Sequence, residues 1–160
     1  MQQTNVLEYL EYTVKRVPDK VAYANEVEAE GMTFAKVYHD SRAIGTYLYK
    51  EGHYNEPIVV FMKKHPKTIT AFYGCVYGGN YYVPIDSEMP EFRIERIFDN
   101  SQPRAMICDE STLKMAEEFA AKYQAKILLY ETPTESVRPS SFFTVSLMVS
   151  AIWRPVPNKF

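Results

Sequence analysis

Cysteine is scarce in this 160-residue chain: Cys75 and Cys108 stand far apart, each inside an apolar run. That spacing offers neither a disulfide framework nor a metal-ligand pair, so both are expected to be buried free thiols in a reducing, cytoplasmic setting. Histidine is scarce too. His39, His53 and His65 are widely separated, with no cysteine or carboxylate pair at ligand spacing, so no metal site is expected and all three read as solvated surface. Glycine occurs only six times. They form no Gly-rich strand-to-helix loop, where a phosphate cradle would need them, so an independent nucleotide-binding domain is disfavoured. No apolar run approaches the ~20 residues of a membrane span, and MQQTNVLEYLEY lacks the basic and apolar regions of a signal peptide. The net charge of −2 provides no basic surface. Neither nucleic acid nor membrane is therefore expected as a partner.

What the chain does have is alternation. Strand patterns near Ile58–Met62, Tyr81–Ile85, Arg104–Cys108 and Lys126–Tyr130 are separated by helical patterns over Pro66–Tyr77, Glu91–Asn100 and Ser111–Tyr123. Such alternation predicts an α/β fold of three layers, a mostly parallel sheet with flanking helices. Before it come a helix over Val6–Arg16, an edge-like strand over Val21–Val27 and a helix capped by Thr33. At this length one domain burying about 70% of its unfolded surface is expected.

Several short constellations have residue types that can carry chemistry. In Tyr73–Asp86, YGCVYGGNYYVPID, Gly78 and Gly79 are expected to end a helix in left-handed backbone, and Pro84 to end the following strand. Gly78-Gly79-Asn80 follows a helix and precedes a strand, the reverse of a phosphate nest, and reads as a cap. Met62-Lys63-Lys64-His65-Pro66 is a basic turn at the carboxyl edge of a strand, where open α/β sheets bind ligands; a solvated turn is the favoured reading. Asp86 is expected to hold its own loop through backbone N–H groups. Glu91, Arg93, Glu95 and Arg96 are expected to form ion pairs along one solvated helix face. The catalytic, cofactor-binding and metal assignments are all none.

The order of motifs carries more than any one of them. A TF-x-x-x-Y helix from Thr33, the strand IVVFM at 58–62, GGNYYVPID at 78–86 and PEFRIERIFDNS at 90–101 follow the strand entry Pro18-Asp19-Lys20-Val21-Ala22. Over about residues 3 to 130 this order resembles the amino-terminal part of adenylate-forming (AMP-binding) enzymes. The likeness is greatest to amino-acid adenylation domains of nonribosomal peptide synthetases and to D-alanine–carrier-protein ligases. The resemblance implies a partial N-terminal subdomain of the adenylate-forming fold, from ligases that use ATP and Mg²⁺ and pass an acyl group to a carrier protein. It equally implies what these 160 residues do not contain: a Ser/Thr/Gly-rich phosphate loop ending in lysine, and the later catalytic residues. Residues 1–136 are thus read as the N-terminal part of an adenylation domain, inactive alone and without a cofactor of its own. Residues 137–160 hold no Asp or Glu and read as an atypical tail left by truncation or a frameshift. The rival reading is a non-catalytic interaction module or one half of a split enzyme. Its partner would be a second copy of the chain or the missing remainder.

Overall fold

The structure, a computed structural model, describes residues 5–26 and 31–136. Helix α1 (Val6–Arg16) starts where the Asn5 side chain accepts the Glu8 N–H at 3.0 Å, and it buries Leu7 and Leu10. Strands β1 (Val21–Tyr23) and β2 (Met32–Thr33) form a small antiparallel pair. Thr33 then caps α2 (Phe34–Lys50), its hydroxyl accepting the Lys36 N–H at 3.2 Å. Four strand–helix units follow: β3 (Pro57–Phe61) and α3 (Pro66–Tyr77), β4 (Tyr81–Ile85) and α4 (Glu91–Ser101), β5 (Ala105–Cys108) and α5 (Leu113–Tyr123), β6 (Lys126–Leu129) and α6 (Glu131–Ser136).

The four strands form one parallel sheet in the order β4-β3-β5-β6, with Val59 opposite both Val83 and Met106. Alternate residues of the buried strands serve opposite faces. Ile58, Val60, Ala105, Ile107 and Leu128 pack with Ile44, Leu48, Ala71 and Cys75 of α2 and α3. Val59, Phe61, Met106 and Cys108 pack with Ile94, Phe98, Ala116 and Phe119 of α4 and α5. On that second face Phe119 lies 5.6 Å from Phe98 and 5.8 Å from Phe61, ring centre to ring centre. The three-layer α/β expectation holds. The β3–β4 neighbours are parallel and joined by α3, as expected.

Some particulars differ. Pro84 lies inside β4 rather than ending it; β4 is an edge strand, where a residue without an N–H leaves no ladder bond unmade. The strand from Val21 stops at Tyr23, and Val27 lies outside the described residues, as does the tail from Val137. Helix α5 begins at Leu113, not Ser111, because the Thr112 hydroxyl donates to Phe61 O at 3.0 Å and its N–H to Asp109 Oδ1 at 3.0 Å. Of the glycine pair only Gly79, at φ +74°, is left-handed; Gly78 has φ −77°.

Helices α2 and α3 approach closely because two glycines face their partners. A methyl at Gly74 would lie 2.5 Å from Ile44 Cγ2, and one at Gly45 2.6 Å from Tyr77 Cβ. Gly74→Ala is therefore expected to destabilise the fold by about 1–3 kcal/mol, the usual range for overpacking a tight core. A urea titration reads this directly, and an unchanged midpoint would show that the helices can move apart freely.

Candidate functional site

A cleft of about 520 Å³ opens at the carboxyl ends of β3 and β4. Its floor is apolar: Val60, Met62 and Ile85 are buried core, and Ile69 and Phe72 of α3 extend the surface. Phe72 is held by stacking on Tyr82 at 4.4 Å. Tyr23 and Asn25, at the end of β1, form a further wall.

The rim is made by the two turns that leave the strands. After β3, Lys63, Lys64 and His65 run into α3, whose first residue is Pro66. His65 caps the helix, with its Nδ1 accepting the Lys67 N–H at 3.1 Å and its carbonyl accepting the Thr68 N–H at 2.9 Å. After β4, Asp86 folds its loop as expected, accepting the Glu88 N–H at 3.0 Å on the side chain and the Met89 N–H at 2.9 Å on the carbonyl. Lys64 Nζ stands 3.8 Å from Asp86 across the mouth, an exposed pair worth little. The rim therefore carries cations beside a helix start whose first donors are spent, since Pro66 has no N–H and the next two are taken.

Gly78-Gly79-Asn80 lies at the opposite, amino-terminal edge of the sheet. Its three N–H groups bond back to Gly74 O, Val76 O and Cys75 O at 2.9–3.0 Å, as a helix cap does. Asn80 is buried and its side chain stitches the junction, accepting the Glu56 N–H and donating to His53 O and Gly78 O, each at 3.1 Å.

The histidines are not simply solvated. His53 is 12% exposed and its Nδ1 meets Glu56 Oε2 at 3.1 Å, while Arg104 donates to the other Glu56 oxygen at 3.0 Å. His39 pairs with Asp40 at 3.1 Å, and His65 is the α3 cap just described. In each case a partner close in sequence draws the ring onto the protein. Glu91, Arg93 and Arg96 are exposed as expected, whereas Glu95 pairs with Lys122 of α5 instead of serving its own helix. Glu91 also borders a smaller cleft of about 310 Å³ between α4 and α5.

One buried carboxylate went unnoticed in the sequence. Asp40, inside α2, is 2% exposed; it accepts from Lys36 Nζ at 2.9 Å, and the Tyr130 hydroxyl donates to it at 3.4 Å. Burial, then the Asp40 charge, raises the Tyr130 pKa. The Lys36–Asp40 spacing of one helical turn was its only local signal. Among the described residues no group of three or more His, Cys, Asp or Glu is placed to hold a metal ion.

An open parallel sheet thus carries a cleft at its carboxyl edge, with an apolar floor and a rim of Lys63, Lys64, His65 and Asp86. The family model described as AMP-binding enzyme matches residues 10–150, and the chain belongs to that family. A D-alanine–D-alanyl carrier protein ligase of Listeria welshimeri is 32% identical over 109 residues, covering 67% of this chain and 21% of the ligase. A ligase of the same name from Bacillus cereus is 30% identical over 103 residues, covering 64% of this chain and 20% of the ligase. The chain thus spans about a fifth of the length of these relatives. Among solved structures, the nonribosomal peptide synthetase FmoA3 superposes with a TM-score of 0.70 at 21% identity, over 82% of this chain and 14% of that one. The anthranilate CoA ligase AuaEII superposes with a TM-score of 0.71 at 19% identity, over 82% of this chain and 27% of that one. At these identities the structural likeness establishes the fold alone.

Both cysteines are free and buried, as expected. Burial raises the Cys75 pKa, and burial followed by the charges of Asp109, Glu131 and Glu117 pushes Cys108 up from the ordinary 9.0 to about 12. A raised acid pKa means that the unfolded chain loses its proton first, so this contribution is complete below about pH 9 and is lost as pH climbs toward 12. Stability is expected to fall across that window, less steeply in Cys108→Ala, with neither thiol reacting with a neutral alkylating reagent in the folded chain. Denaturant titrations at stepped pH, and mass spectrometry after brief alkylation at pH 7.5, about a unit below the free thiol value, check both. Prompt native-state labelling would contradict the burial.

Proposed function

We propose that this chain is the amino-terminal part of an ATP-dependent, AMP-forming ligase that activates an amino acid or another carboxylate as its acyl-adenylate. By itself it acts as scaffold. The observation that carries this reading is the family match over residues 10–150, joined to coverage of only about a fifth of the D-alanine–D-alanyl carrier protein ligases. In such a ligase the carboxylate attacks the α-phosphate of ATP, pyrophosphate leaves, and the acyl group passes to a thiol such as that of a carrier protein. Catalysis there rests on positioning and on stabilising charge.

The residues described here do not fit a bound triphosphate. The first donors of α3 are consumed by the His65 cap, and those of Gly78-Gly79-Asn80 by helix carbonyls. No step through ATP or Mg²⁺ is therefore assigned to this chain. What it supplies is the sheet and the shaped carboxyl edge of β3 and β4. The division into an adenylation-domain part, 1–136, and a differently composed tail, 137–160, belongs to the same proposal, although the family match itself runs on to residue 150. So does a cytoplasmic location; no helix among the described residues is long and apolar enough to cross a membrane.

A second reading, an interaction module or half of a split enzyme, is favoured by one feature. The edge strand β4 presents Tyr81 and Tyr82, 54% and 43% exposed, beside the exposed ring of Tyr54. Under that reading a second copy or the remainder of the ligase would cover them.

The purified chain is expected to give no amino-acid-dependent ATP–pyrophosphate exchange above a blank, with D-alanine among the acids tried. Exchange that survives repurification and scales with the chain would overturn the scaffold reading.

A further inference from the structure

Strand β4 ends the sheet, and only one of its residues has both backbone groups free to pair outward. We propose that two copies of this chain join edge to edge through β4, antiparallel, about a two-fold axis at Tyr82. The inference rests on the second reading above, of β4 as a face for another chain, and names its occupant.

The backbone fixes the axis. The Tyr81 N–H donates to Glu56 O at 3.2 Å and Ile85 O accepts the Met62 N–H at 3.3 Å, so Tyr81, Val83 and Ile85 turn their polar groups toward β3. By the two-residue period of a strand, Tyr82 and Pro84 turn theirs toward the open edge. Pro84 has no N–H, and the Asn80 N–H just before the strand is spent on Cys75 O at 2.9 Å. The outward side of β4 therefore offers a single donor, the Tyr82 N–H, with the Tyr82 carbonyl beside it. A second β4 running antiparallel satisfies both at once, because residues opposite each other in a hydrogen-bonded pair exchange N–H and C=O. In-register parallel pairing of the two edges does not, since a parallel ladder needs its facing residues staggered by one.

The side chains select a second copy over a foreign strand, which would meet the same two bonds. Directly opposite residues share a face of the sheet, so the axis sets the two Tyr82 rings side by side. Each is already stacked on its own Phe72 at 4.4 Å, and the pairing makes a row of four rings. On the other face Tyr81, 54% exposed, falls opposite Val83 of the other copy. Edge strands that avoid self-pairing commonly carry charge, above all lysine. From Tyr81 to Ile85 there is none, so the axis brings no like charges together.

Area sets the strength. Tyr81, Tyr82 and Tyr54, which packs on Gly79 at the start of the strand, each offer on the order of 100 Å² of surface to cover. About 300 Å² from each copy is well below the ~800 Å² of a standard interface, so the dimer is weak and dissociates on dilution.

The test is sedimentation velocity of the full chain from low micromolar to several hundred micromolar protein. The weight-average mass is expected to climb from one chain toward two. Tyr82→Lys, which sets a cation on each side of the axis, is expected to stay at the mass of one chain with unchanged circular dichroism, and Tyr82→Phe to keep the dimer. Oxidation reads the register. Residues opposite each other in a non-hydrogen-bonded pair stand about 4.5 Å apart at Cα, within disulfide reach. Tyr81→Cys mixed with Val83→Cys is therefore expected to give a mixed disulfide several-fold above the dimer of either variant alone, the native thiols being buried. If Tyr82→Lys loses its fold, this cysteine experiment decides. A native chain that keeps the mass of one chain throughout overturns the second copy as occupant and leaves the face to the remainder of the ligase. A dimer that persists in Tyr82→Lys, or cysteine pairs without the stated preference, places the association elsewhere and overturns the reading of β4 together with the proposal.

Discussion

The close approach of α2 and α3 is the constraint on which the rest of this fold depends. Because Gly45 and Gly74 carry no side chain, Ile44 and Tyr77 can occupy the space between the helices, and Ser41 reaches across to donate to Thr70 O at 3.1 Å. The end of α3 is thereby fixed against α2, and Gly78 is closely surrounded, with Gly45 O 3.2 Å from where its methyl would stand. The left-handed Gly79 then turns the chain into β4 beneath the Tyr54 ring. Asn80 and Tyr81 bond to the Glu56 backbone, which aligns β4 with β3 from their first residues. The Glu56 carboxylate holds Arg104, just before β5. Three strands thus take their starting points from one helix–helix contact.

That dependence explains what the sequence makes legible. Strands β3 and β5 are buried on both faces and read as unbroken apolar runs, as strands of covered parallel sheets do. The helices show their period because each has one wet side. By contrast β2 is two residues long and overlaps the cap of α2, so nothing in Met32-Thr33 announces it. Helix α6, ETPTES, has a proline in its first turn and little helical preference. It forms where the Thr134 hydroxyl donates to Tyr130 O at 3.1 Å within the segment and Lys67 of the neighbouring α3 reaches Glu131. Pro84 misleads for the same reason: only the sheet order shows that β4 is an edge.

The cleft was half legible. Lys63 to His65 and Asp86 fall at the carboxyl edge by simple counting of strands, but Tyr23, Asn25 and Phe72 join them only through the fold. The chemistry of the rim depends on a finer point. A helix start attracts anions only with free N–H groups. His65 spends two of those of α3 and Pro66 removes a third, so a basic turn at the favoured edge of an open sheet becomes a closed corner. Residue types alone do not reveal this; the direction of one imidazole does.

The same edge leaves an apolar floor open to water. Ile69, Phe72 and Met89 are positioned by elements whose other faces are already committed to the core, so they cannot turn inward without unpacking it. Opening the floor to water forgoes about 25 cal/mol for each Å² of apolar surface left wet. A charged cover would give back part of that gain in desolvating its own charges, and a polar one would need partners that the floor does not offer. Only an apolar, uncharged segment gains from the contact without such a cost.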